Sequence, residues 1–117
     1  MIEYLEPNQI FVFGSHQTGH HAGGAARTAV ERFGAIIGQG EGLQGQSYAI
    51  PTMHGEINFR QAIQTFVLFA GEHPELEFLL TKVGCGIAGF HELDVIAMFH
   101  ESLPNGWPTN IVPPDGW

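Results

Sequence analysis

Apolar residues fall along this chain in short runs separated by glycine-rich polar stretches, and their period changes from one run to the next. Gln9 leads into Ile10-Phe11-Val12-Phe13, an unbroken β-branched and aromatic run that ends at Gly14. That is the pattern of a strand buried on both faces, as in a layered α/β domain. Beyond a polar stretch over 15–23, Ala25, Ala26, Ala29, Val30 and Phe33 recur at helical spacing, and Gly34 stops the helix. Residues 38–46 read as a second glycine-rich loop, and Ser47–Ile50 as a short strand closed by Pro51. Asn58 reads as a helix N-cap with Gln61 as its capping-box partner. The stripe Phe59, Ala62, Ile63, Phe66, Val67 and Ala70 carries that helix to His73, before Pro74. Leu76–Val83 reads as a strand and Gly84–Gly89 as a third glycine-rich loop. A helix then runs from His91 to Ser102, and a last strand falls at Asn110-Ile111-Val112.

The order β-α-β-α-β-α-β predicts an α/β fold with a mostly parallel sheet and helices on its faces. Ligands of such sheets bind outside the carboxyl ends of the strands. Residues 14–24 and 84–90 each follow a strand and lead to a helix, so both loops fall on one edge and face each other across one cleft.

Composition narrows the partners. A chain of 117 residues with 44% hydrophobic and 14% charged residues suits one soluble domain spanning 1–117. Twelve acids against four scattered bases, Arg27, Arg32, Arg60 and Lys82, weigh against nucleic acid. An anion site here must rely on backbone N–H groups more than on side-chain charge. Cys85 is the one cysteine, so no intrachain disulfide forms. The N-terminal residues MIEYLEPNQ lack a basic, apolar leader, and no apolar run reaches the ~20 residues a membrane span needs. A cytoplasmic protein with no membrane partner is the expectation.

Nine of the sixteen glycines lie between Gly14 and Gly45. Gly23-Gly24 opens the first helix, where unpaired N–H groups and the helix dipole favour an anion. The competing explanation is close packing of the helix on the sheet. Gly84-Cys85-Gly86-Ile87-Ala88-Gly89 suits a loop that wraps a diphosphate with main-chain donors. It is not a Walker A, since no Lys-Ser/Thr follows. It matches G-x-G-x-x-G literally, but residues 104–114 offer no ribose-binding acid. His16, His20 and His21 cluster in the first loop. The i, i+4 spacing of His16 and His20 would suit a metal only in a helix, so no metal or cofactor is expected. Cys85, between two glycines at an expected helix N-terminus, is a candidate nucleophile or simply a small residue in a tight loop. Glu41, between Gly40 and Gly42, is the acid expected to face the cleft, where it could act on a ribose hydroxyl or a water. Phe90 is the aromatic best placed to stack on a base or ribose.

The elements FVFGSHQTGHHAGGAARTAVERFGA and LLTKVGCGIAGF together resemble the two ligand loops of macro domains, which bind ADP-ribose. Gly84–Phe90 is similar to that family's G-x-G-I-x-G-[FY] loop, and Gly14–Ala26 to its strand, loop and helix start. The chain also resembles small bacterial and phage-borne proteins that carry both motifs with a stretch like GQGEGLQGQSYAIPT. The resemblance covers about Ile10 to Phe99. It implies a reduced three-layer α/β/α sandwich that binds ADP-ribose or a related nucleotide. It places Gly14, Ser15, Gly23, Gly24 and Ala25 on the ligand from the first loop. It places Gly84, Cys85, Gly86, Ile87, Ala88, Gly89 and Phe90 there from the second. The chain carries Ser15-His16 where the family pattern has a hydrolytic Asn, so binding is implied more than hydrolysis. If an ADP-ribosyl or phosphoribosyl bond is hydrolysed, His16 and Glu41 are the candidate bases. Two other readings stand beside this one: a cysteine enzyme pairing Cys85 with a histidine, and a non-enzymatic protein that docks through the tail from Trp107 to Trp117.

Overall fold

The structure, a computed structural model, describes residues 2–117. Eight elements follow in order: β1 (Gln9–Ser15), α1 (Gly24–Arg32), β2 (Gly42–Gln44), β3 (Ser47–Pro51), α2 (Glu56–Glu72), β4 (Glu77–Leu80), α3 (Glu92–Glu101) and β5 (Ile111–Val112). They form an α/β fold around a mixed five-stranded sheet of order β2-β3-β1-β4-β5. β1 lies parallel to β3 and β4, β5 parallel to β4, and β2 antiparallel to β3.

The alternation of β1 divides the core. Ile10 and Val12 pack with Phe59, Phe66, Phe78 and Phe99 beneath α2 and α3. Phe11 and Phe13 pack with Ala26 and Ala29 of α1 and with Phe33 at its C-cap in a second, smaller cluster. Successive side chains of a strand point to opposite faces, which is why one unbroken apolar run serves both clusters. Each fully buried phenylalanine contributes roughly 1.5–3 kcal/mol.

Three expectations are corrected. The segment 38–46 is not all loop, since Gly42–Gln44 forms β2. The two residues Gly45-Gln46 turn it back onto β3, with Gln44 opposite Ser47 and Gly45 at φ 60°. Glycine at the first central position of a two-residue hairpin suits this reversal. Next, β4 is shorter than 76–83. At its end Thr81 N–H and Oγ1–H both donate to Val12 O (3.1 and 2.7 Å), and Val83 N–H turns back to Thr81 O (2.8 Å). Lys82 and Val83 thereby leave the ladder. Finally, α2 starts at Glu56 with Gly55 as N-cap, and Asn58 Nδ2–H donates back to His54 O (2.7 Å) from within the first turn.

β1, β3 and β4 run parallel, so the segments after Ser15, Pro51 and Leu80 emerge on one edge of the sheet. No helix among the described residues is long and apolar enough to cross a membrane.

Candidate functional site

A cleft of about 460 Å³ opens on that edge. Its walls are Gly14–His16 and His20–Ala26 after β1, Thr52 and Met53 after β3, and Thr81–Gly84 with Gly86–Ala88 after β4. The two glycine-rich loops therefore do face each other, as the element order implied. Among the described residues no acid lines the cleft, although the chain carries twelve, and the one Lys or Arg there is Lys82.

The backbone supplies the polarity. Among the described residues, no backbone N–H from His20 through Ala26 donates to a protein acceptor; the first amide of α1 to do so is Arg27, to Gly23 O (3.3 Å). Gly23, the N-cap, is extended, and no side chain caps the helix. Across the cleft, the N–H groups of Gly84, Gly86, Ile87 and Ala88 are likewise free among the described residues. Amides left unpaired at a helix start and in left-handed turns form anion-binding concavities. The packing explanation for Gly23-Gly24 fails, because a Cβ at either position would meet nothing within 4 Å. Gly84 is different: at φ 79° it lies so close to Phe59 that a Cβ would stand 2.6 Å from Cε2.

Four histidines gather here. His16 and His20 lie in non-helical backbone with ring centroids 5.3 Å apart, and His54, from the segment between β3 and α2, meets His16 edge-on at 5.1 Å. Thr18 N–H donates to His16 Nδ1 (3.1 Å), and Thr18 Oγ1 lies 2.8 Å from the same atom. The Nδ1 lone pair is thus occupied and the ring proton sits on Nε2. In this state His16 offers a donor rather than the free lone pair a base requires. His21 is buried, with its Nε2 between two acceptors, Gln39 O at 2.9 Å and Gln44 Oε1 at 3.2 Å.

Lys82 Nζ is 3.2 Å from Glu92 Oε1 at the start of α3. The bond from Trp117 Nε1–H, and then Lys82, hold the Glu92 carboxyl below its ordinary range. Lys82 thus stands at the cleft as an exposed cation with a flexible reach.

The structure brings together Gly14, Ser15, His16, Gly23, Gly24, Ala25, Gly84, Gly86, Ile87 and Ala88 at one cleft. Ser15 is there, but its hydroxyl donates to Gly40 O and is committed to the chain. Cys85, Gly89 and Phe90 do not line the cleft, and Phe90 packs on Phe59 with ring centroids 5.0 Å apart. Cys85 precedes α3 by seven residues rather than capping it. Burial, and then Glu92, push its thiol above the ordinary range, opposite to what activates a nucleophile. Glu41 lies outside the cleft in a shallow polar depression of about 180 Å³ beside Gln17, Asn58, Gln61 and Thr65. The tail indoles are engaged internally: Trp107 and Trp117 pack on Phe99 at 5.5 and 5.9 Å, and Trp107 Nε1–H donates to Trp117 O.

Lys82, Thr52 and Met53 join the site without having been expected. Lys82 is the one lysine and stands two residues before the third loop, and Thr52-Met53 directly follows a parallel strand. The rule that ligands meet the carboxyl ends of strands covers both. His54 joins His16 only through the fold, with no signal in local sequence.

No family model, curated protein or solved structure matches this chain.

Proposed function

We propose that the cleft binds a phosphorylated ribose or nucleotide, with ADP-ribose the first ligand to test, in a reduced three-layer α/β/α domain of macro-domain type. One observation carries the reading: residues His20 to Ala26, whose backbone N–H groups have no protein acceptor, line a concavity with no acid among its described lining residues, in a chain of net charge −8. Free N–H donors at a helix start favour an anion there. Met53, Val83, Ile87 and the alanines supply apolar wall, which suits a ligand with a nucleoside body over a bare phosphate. Packing of α1 against one core cluster, and of α2 and α3 against the other, supports the layered architecture.

Binding is favoured over hydrolysis, since Glu41 lies outside the cleft and the His16 lone pair is engaged. Titration calorimetry of the full chain with ADP-ribose tests the proposal. Saturable heat that is lost when Gly24 is replaced by Asp is expected. No heat at millimolar ADP-ribose or ribose 5-phosphate, with the fold intact by circular dichroism, overturns it.

A further inference from the structure

His21 carries two costs. Its φ of 46° makes it the one non-glycine in the left-handed region among the described residues. That conformation costs roughly 1–2 kcal/mol for a residue with a Cβ. Its Nδ1 is also the one buried side-chain nitrogen or oxygen without a partner among the described residues. Nε2 sits between two oxygen acceptors, so Nε2 bears the proton and Nδ1 is a lone pair with no donor. Such costs persist where the surroundings over-determine a residue, and they concentrate at binding sites.

The surroundings that hold His21 belong to the second glycine-rich segment. Besides the two Nε2 contacts, Gly38 N–H donates to Gly19 O (2.9 Å), and Ser15 Oγ–H donates to Gly40 O. Backbone lies against backbone: a Cβ on Gly19 would stand 2.8 Å from Gly38 Cα. The ring of His21 also meets Phe13 edge-on at 5.1 Å. The second segment does not line the cleft. A left-handed residue in a turn gathers successive N–H groups into one concavity.

We infer that His21 is the positioning residue of the amide array: clamped by Gln39 and Gln44, it fixes the left-handed turn that aims the N–H groups from Ala22 to Ala26 into the cleft. The inference rests on the anion-cleft reading for its functional meaning, and on geometry for the positioning itself. The role is separable from the stability of the clamp. Without the imidazole, Gln39 O keeps the Gln44 Nε2–H donor (3.1 Å) and Gln44 Oε1 keeps Ile36 N–H (2.8 Å), so neither partner is orphaned.

The test compares wild type, H21G and H21N as full chains. Glycine keeps the left-handed turn accessible and removes the clamp. Asparagine tolerates the same turn and keeps a side-chain donor. In 15N relaxation without ligand, the order parameters of the Ala22–Ala26 amides are expected to fall in H21G from about 0.85 toward 0.6, with the sheet unchanged and H21N in between. Affinity for ADP-ribose by calorimetry is expected to fall about tenfold in H21G, which is ~1.4 kcal/mol, and to recover in part in H21N. Unchanged order parameters in H21G overturn the inference, and so does loss of order throughout the sheet. If wild type binds neither ADP-ribose nor ribose 5-phosphate, the anion-cleft reading falls, and the relaxation comparison still decides the positioning.

Discussion

The two glycine-rich segments on either side of α1 look alike in sequence and differ in what their glycines touch. At 23–24 the glycines face open space, with nothing within 4 Å of where a Cβ would stand. At 40 and 45 they are pressed against backbone, Gly40 on His16 and Gln17 and Gly45 on Gly34. Residues 20–26 of the first segment line the cleft with their amides unpaired among the described residues, while Gln39, Gly40 and Gln44 of the second hold Ser15 and His21 of the first. Glycine density therefore marks two different needs: donors that must be approachable, and chains that must lie very close. The contrast is open to direct test, because the same substitution should act on stability in one segment and on binding in the other.

The largest effect is expected at Gly40. A methyl group there meets the carbonyls of His16 and Gln17, backbone that cannot move without displacing the first loop. Gly40→Ala should cost about 3 kcal/mol of unfolding free energy, read by urea denaturation. A loss under about 0.5 kcal/mol would mean that the two segments are not packed in this way.

Next comes Lys82, the one cation of the cleft. Its pairing with Glu92 is exposed on both sides, so Lys82→Ala should leave stability within ~1 kcal/mol. Affinity for ADP-ribose should fall about tenfold at low salt and less at high salt, because screening weakens what Lys82 contributes. Equal affinity of the two proteins at low salt would assign the anion contact to the amides alone.

Gly23→Ser should separate stability from binding with opposite signs. Gly23 is already extended, as an N-cap should be, and α1 has no side-chain cap. A serine hydroxyl there would accept from the first-turn amides and stabilise the chain by about 0.5 kcal/mol, read as a rise in Tm. The same hydroxyl would occupy donors that the ligand needs, so affinity should drop. A variant that gains stability and keeps its affinity would place the ligand elsewhere in the cleft.

These contrasts show how much was legible in the residues. β1, α1, α2 and α3 announced themselves because periodicity records burial, and Phe13, Phe66 and Phe99 are all fully buried. The facing of loops 14–24 and 84–90 followed from element order alone. β2 did not announce itself, since a three-residue edge strand of Gly42-Leu43-Gln44 carries no alternation and is made by the Gly45 turn and by pairing with β3. The roles of Ser15, Cys85 and Phe90 were beyond local pattern because each depends on which way a side chain turns. Ser15 turns to Gly40, Phe90 to Phe59, and Cys85 against the core beneath α2 and α3. His21 lay in plain view, but a strained φ and an unpartnered nitrogen exist only in the folded chain.

The smallest effect concerns Glu41, which the residues alone placed at the cleft and the fold sets beside β3. Burial first, and then Glu41, push the Tyr48 hydroxyl from its ordinary 10.0 to about 12. The sign follows from linkage: a group whose folded value is raised contributes stability that is full below pH 10 and is lost as pH climbs through about 12, because the unfolded chain releases its proton first. Urea midpoints should therefore fall between pH 10 and 12, and Tyr48→Phe should flatten that slope. Glu41→Gln removes only the lesser cause, so it should make the slope slightly shallower and leave ADP-ribose affinity unchanged. A marked loss of affinity in Glu41→Gln would return this carboxylate to the site and break the division of labour between the two glycine-rich segments.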